Sequence, residues 1–251
     1  MTRRAGAEPV GGAAGGAPAR VFEPAGRSVR AWALLLGLTA ALLGIDLATK
    51  YWAFHGIADR PVPVERERVL EVMSRDPGLI QALVPEHEPR VVAPGVLELK
   101  LVLNPGAVFG IGAGRRVFFV VFTAGAVGFV CYLFARWVDR RDWLSAASLA
   151  LILAGGIGNL YDRLRYACVR DFLHPLPGVP MPFGLRWPNG SPELWPYVSN
   201  VADAFLLVGI GVLLVRLWRA PAPEEQEAGA GERDARGSEQ PGADETTPER
   251  G

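Results

Sequence analysis

Histidine and cysteine are scarce in this 251-residue chain, with three of one and two of the other. His55, His87 and His174 are scattered through connecting segments, and none stands in a motif. Serine–histidine and cysteine–histidine catalysis are therefore not on offer, since each needs the base placed beside its nucleophile. Cys131 lies inside an apolar run and Cys168 in a loop, so neither spacing nor setting suggests zinc or a disulfide. Net charge is missing too: 26 basic residues balance 26 acidic ones. No nucleic-acid partner, metal or cofactor is expected.

Hydrophobic residues make up 50% of the chain, and they are not spread evenly. They gather in four runs, about 31–48, 117–135, 143–160 and 201–218. Each is close to the ~20 residues that cross the hydrocarbon of a bilayer. Buried helices of a soluble protein are the competing reading, but four long runs nearly free of charge favour an integral membrane protein. Arg27 and Arg30 before the first run would also suit a secretory leader. No convincing small-x-small cleavage site follows Ile45, however, and the run continues into Asp46 and Lys50, so a retained span is expected. Basic residues near the span ends (Arg27, Arg30, Arg136, Arg140, Arg141, Arg216, Arg219) lean toward both termini being cytoplasmic. Arg115, Arg116, Arg163 and Arg165 lean the other way.

Residues 1–30 are rich in Gly, Ala, Pro and Arg and read as a flexible cytoplasmic extension. Residues 221–251 hold nine acidic residues and no aromatic, Val, Ile or Leu. Such a stretch buries too little apolar surface to offset its ordering entropy, so it reads as a disordered acidic cytoplasmic tail. Outer loops are expected at about 50–116 and 162–200. In the first, Leu97-Glu98-Leu99-Lys100-Leu101 alternates with the period of a half-exposed strand, and Val64 to Arg75 could form a short amphipathic helix ended by Pro77-Gly78. In the second, Trp187, Trp195 and Tyr197 suit an interfacial aromatic belt.

Polar motifs stand at the ends of the apolar runs. Asp46 and Lys50 are four apart, on one helix face. Asn159, Asp162 and Arg163 share a face at the end of the third run, and Asn200 and Asp203 share one at the start of the fourth. Asn104-Pro105-Gly106-Ala107-Val108-Phe109-Gly110 reads as a turn, and Asp171 follows Asp162 by nine residues. With four spans, all of these fall on one side of the membrane. Carboxylates at a hydrocarbon boundary are costly and by default functional. Two close carboxylates share a proton, which suits aspartic peptide hydrolysis. A proton- or cation-coupled transport protein would use the same acids, and a non-catalytic scaffold could use them as polar glue between helices.

Five motifs come in an order that resembles lipoprotein signal peptidase (signal peptidase II, peptidase family A8). They are Asp46 to Lys50, Asn104 to Gly110, Gly155 to Arg163, Val169-Arg170-Asp171-Phe172 and Asn200-Val201-Ala202-Asp203, and the resemblance covers about residues 31–218. It implies an all-α membrane protein of four transmembrane helices with a small extracytoplasmic β-cradle, in the bacterial cytoplasmic (inner) membrane. The implied activity is that of an aspartyl endopeptidase that removes signal peptides from prolipoproteins, cutting before the diacylglyceryl-modified cysteine. Its partners would be those substrates and membrane lipid, with a monomer expected. The resemblance assigns catalysis to Asp171 and Asp203. Asn159 and Asn200 would brace the pair, and Asp162 would support it, paired with Arg163. Asp46, Lys50, Asn104 and Gly106 would shape the substrate site. Residues 59–90 look like an insertion, the loop from Asp171 to Asn200 is long, and Arg170 sets a charge beside Asp171.

Overall fold

Charge avoids the middle of each long apolar run, and each run forms a helix. In this computed structural model, residues 21–106 and 116–219 are described. The chain runs through α1 (Val29–Gly56), α2 (Arg66–Arg75), β1 (Arg90–Ala93), β2 (Leu97–Asn104), α3 (Arg116–Trp137), α4 (Trp143–Tyr166), β3 (Val169–Pro175) and α5 (Val201–Trp218). Four of these helices are long and apolar enough to cross a membrane, so the chain is a multi-pass membrane protein with a small sheet attached. The acidic tail, most of the N-terminal extension and Ala107 to Gly110 of the turn motif lie outside the described residues.

The fourth span has the expected bounds, and the others run longer. Helix α1 continues to Gly56 because Asp46 and Lys50 neutralise each other inside it, where the sequence pattern placed its end. Helix α4 continues to Tyr166 and stops at Ala167, whose left-handed φ of 63° turns the chain sharply into β3. The final residues of the expected flexible extension are held in place. Ala25 is buried and donates its N–H to Val138 at 2.8 Å, and Glu23 pairs with Arg140 at 2.8 Å.

Helix α4 is the hub, packing against α1, α3 and α5. Its closest neighbour is α5, because Gly155 presents bare backbone there: a Cβ at that position would collide with the Ala202 carbonyl and with Leu206. Small residues that let helix backbones touch are a general device of membrane packing.

The cap is a three-stranded antiparallel sheet in the order β1-β2-β3. Strand β2 contains the alternating run and lies at its centre. β1 pairs with it only over Leu97 to Leu99, which leaves the outer edge of its second half open. Residues of the 59–90 segment fill that edge with side chains. His87 Nε2 accepts the Leu101 N–H at 3.0 Å, and Gln81 donates to the Leu103 carbonyl at 2.6 Å. Val62, Val69 and Ile80 then join Leu99, Leu101 and Leu103 in one buried cluster with Phe54 and Phe172. The 59–90 segment thus braces the strand that ends at Asn104.

Candidate active site

The site forms where the C-terminal part of α1, the end of α4, the start of α5 and strand β3 meet. Asp46 and Lys50, one turn apart on α1, bond at 2.9 Å with neither side chain exposed. Asp46 Oδ1 also accepts the Ala202 N–H at 2.9 Å, tying α1 to the first turn of α5. It fits because residue 158 is glycine, where a Cβ would overlap Asp46 Oδ2. Lys50 Nζ reaches Asn159 Oδ1 at 3.1 Å and Asp162 Oδ2 at 3.6 Å. Expected to shape the substrate site, Asp46 and Lys50 are both fully buried, and Lys50 touches Asn159 and Asp162.

Two asparagines link Asp171 with Asp203. Asn159 accepts from Lys50 on its oxygen and donates Nδ2 to Asp203 Oδ1 at 2.7 Å. Asn200 donates Nδ2 to Asp171 Oδ1 at 2.6 Å and to Asn159 Oδ1 at 3.1 Å. Asn200 also caps α5 in a reciprocal box: its Oδ1 accepts the Asp203 N–H at 3.2 Å, and its own N–H reaches Asp203 Oδ2 at 3.1 Å. Asn104, at the end of β2, donates to the other oxygen of Asp171 at 3.1 Å and accepts the Gly106 N–H at 2.9 Å. Asp171, Asp203, Asp46, Lys50, Asn104, Gly106, Asn159, Asp162, Arg163 and Asn200 therefore all meet in one place.

One expected pairing is corrected. Asp162 bonds not to Arg163 but to Arg170, which gives Nη2 to Oδ1 at 2.8 Å and its backbone N–H to Oδ2 at 3.1 Å. Consecutive residues of a helix do not face each other, so Asp162 and Arg163 diverge. Arg163 instead donates to the Asn159 carbonyl at 3.1 Å and lines the groove that Asp203 faces. The i,i+1 spacing was the signal against the pair. In the sequence Arg170 shows only as a charge beside Asp171.

Asp171 is almost wholly buried. Burial first, then the nearby Asp203 carboxylate, push its carboxyl up to about 7, against hydrogen bonds from Asn200 and Asn104 and the charge of Lys50. It therefore holds a proton where ordinary carboxyls have lost theirs. Asp203 is half-buried and opens onto a groove of about 360 Å³ between α3, α4 and α5, whose apolar walls include Phe122, Val127, Ile152 and Leu206. Burial drives the neighbouring Cys168 thiol up to about 12, which leaves it without nucleophilic thiolate. Among the described residues, no group of three or more His, Cys, Asp or Glu is arranged to hold a metal.

Comparison with known proteins adds to this geometry. The sequence model of the family described as signal peptidase (SPase) II, Peptidase A8, matches residues 38–219. A lipoprotein signal peptidase of Anaeromyxobacter sp. is 32% identical over 207 residues, 79% of this chain and 90% of its own length. Another, from Desulfitobacterium hafniense, is 33% identical over 150 residues, 59% of this chain and 83% of that protein. A solved structure described as a bacterial membrane enzyme superposes with a TM-score of 0.50 at 21% identity, covering 74% of this chain and 94% of that one. At that identity it speaks for the fold alone.

Proposed function

Because the chain belongs to the signal peptidase II family, its work is the removal of signal peptides from lipoproteins, and we propose that it does this as an aspartic endopeptidase. In this reading it cuts before a diacylglyceryl-modified cysteine, from the extracytoplasmic face of the bacterial cytoplasmic membrane, with both termini inside. The observation that carries the reading is the bridged pair Asp171 and Asp203, one carrying its proton to about pH 7 and the other held by N–H donors at the mouth of an apolar groove.

The roles follow from the two environments. Asp203 takes a proton from water as that water attacks the carbonyl carbon of the scissile bond. Asp171 gives its proton to the carbonyl oxygen, so a neutral gem-diol forms. Asp203 next returns its proton to the amide nitrogen and the C–N bond breaks. A gem-diol hydroxyl gives its proton to Asp171, which leaves a carboxylic acid, a free amine and the starting enzyme. Such acid–base assistance is commonly about 10²- to 10⁴-fold in rate for each group. The groove would receive the apolar part of the signal peptide, or an acyl chain, beside the reacting bond.

A transport role for the same acids lacks the feature it most needs. No Asp, Glu, Lys, Arg or His stands between positions 31 and 45, 117 and 135, 143 and 161, or 204 and 215. The spans therefore offer no ladder of charged groups from one side to the other.

The test is cleavage of a lipidated prolipoprotein by wild type, Asp171→Asn and Asp203→Asn in lipid vesicles. Both variants are expected to insert normally and to lose activity, since an amide can neither share the proton nor activate water. Full activity in either variant removes that residue from the pair.

A further inference from the structure

Arg170 stands one residue before Asp171 and takes no part in the scheme above. It is nonetheless 5% exposed, and its partner Asp162 is fully buried. Its Nε lies 3.3 Å from both Asp162 oxygens, its Nη2 lies 2.8 Å from one of them, and its backbone N–H lies 3.1 Å from the other. The Tyr166 ring covers the guanidinium, 4.3 Å from centroid to carbon. A buried ion pair is weak grounds for stability, because desolvation offsets most of its attraction. What this pair does is better read from its neighbours.

Asp46, Asp162, Lys50 and Arg170 form a balanced set of two negative and two positive charges. Lys50 lies 2.9 Å from Asp46 and 3.1 Å from Asn159 Oδ1 but 3.6 Å from Asp162. Asp162 makes its short contacts with Arg170 instead. Without Arg170, Lys50 would be the remaining ion-pair partner of Asp162 among the described residues and would be drawn toward it. Asn159 would then lose the charged one of the two donors on its oxygen, keeping only Asn200, and the amide that meets Asp203 would be held less firmly.

We propose that Arg170 is a positioning residue for the peptide-cleaving pair. By satisfying Asp162 it leaves Lys50 to hold Asn159 against Asp203, and its backbone N–H fixes the start of β3 just ahead of Asp171. This rests on the Asp171–Asp203 reading and deepens it. The charged groups that act on Asp171 are Asp203 from α5, Lys50 from α1 and Arg163 from α4, and the Asp162–Arg170 ion pair stands beside them, with Arg170 the residue before Asp171. Removing Arg170 leaves Asp162 without that counter-charge, so the surroundings become one unit more negative, which favours the protonated form of Asp171.

The full-length protein in lipid vesicles tests this through kcat, KM and pH–rate profiles on a lipidated prolipoprotein, with insertion and thermal midpoint as controls. Arg170→Met is expected to lower kcat about tenfold or more, to change KM little, and to move the alkaline limb to higher pH. Arg170→Lys keeps the charge but not the fork, so its limb should stay while kcat falls. Arg170→Met with Asp162→Asn restores neutrality and should return the limb to its wild-type position. Wild-type kcat and limb in Arg170→Met would overturn the proposal. So would a fall in kcat with the limb unmoved, which marks a merely structural role. If Arg170→Met does not insert, Arg170→Lys decides through kcat, and a wild-type kcat there would overturn the proposal. Failure of the underlying peptidase reading is a different result: wild type that cleaves nothing, or an active Asp171→Asn.

Discussion

The side-chain amide of Asn200 donates to Asp171 at 2.6 Å, the shortest of the bonds that hold that carboxyl. The donation favours the charged form and so opposes the upward push of burial. Asn200→Ala should therefore raise the Asp171 value further and carry the alkaline limb of cleavage to higher pH. Loss of the cap on α5 should also cost about 1 kcal/mol of stability. A pH–rate profile with an unmoved limb would show that the bond does not tune Asp171.

If Asp171 donates the proton as proposed, wild type should lose activity as pH rises through about 7, where that proton is given up. Stability follows the same sign. The folded value lies above the ordinary 3.8, so the contribution is fully present below that ordinary value and is lost as pH rises through about 7. Asp171→Asn cannot titrate. Thermal midpoints measured across this window should fall in wild type more than in the variant, and parallel curves would contradict the argument.

Lys50 is the cation shared by Asp46 and Asn159. Lys50→Met should destabilise by about 3–5 kcal/mol, because it strands a buried carboxylate. Lys50→Met with Asp46→Asn should recover much of that loss, since Asp162 keeps Arg170. Unfolding of the three proteins in one detergent checks the order, and a double variant no better than the single one would refute it.

Gly158→Ala places a methyl group on Asp46 Oδ2. Overpacking of this kind costs about 1–3 kcal/mol, and here it also displaces Asp46 from Lys50 and Ala202. Gly44→Ala, where a Cβ meets nothing within 4 Å, is the matched control. The first should lower both thermal midpoint and cleavage rate, the second neither.

Cys168 should resist alkylation in the folded protein, being fully buried with a thiol pushed up to about 12. Mass spectrometry after iodoacetamide should find it modified only on unfolding. Rapid labelling that also stops cleavage would bring a thiol into the chemistry and remove the aspartic mechanism.

The spans and the acid cluster were legible because both rest on strong local signals: unbroken apolar runs, and the i,i+3 and i,i+4 spacing of Asn159, Asp162 and Arg163. What stayed hidden depended on partners far along the chain. The sequence shows Asp46 beside Lys50, but not the Ala202 N–H, 156 residues away, that also satisfies its carboxylate inside the helix. Strand β3 showed no alternation because its first four residues are buried on both faces. β1 is a short exposed edge whose register slips between Val91 and Ala93. The bracing of β2 by Gln81 and His87 left no periodic trace, since two isolated polar side chains stand in for a strand.

Asp203 occupies the third position of α5, and Asn159, which orients it, lies 44 residues earlier. The last span therefore brings the second member of the proposed pair. Until it threads into place, Asp171 waits with no carboxylate opposite and no Asn200 amide upon it. On the proposed mechanism, a nascent chain whose α5 has not yet docked would cleave nothing.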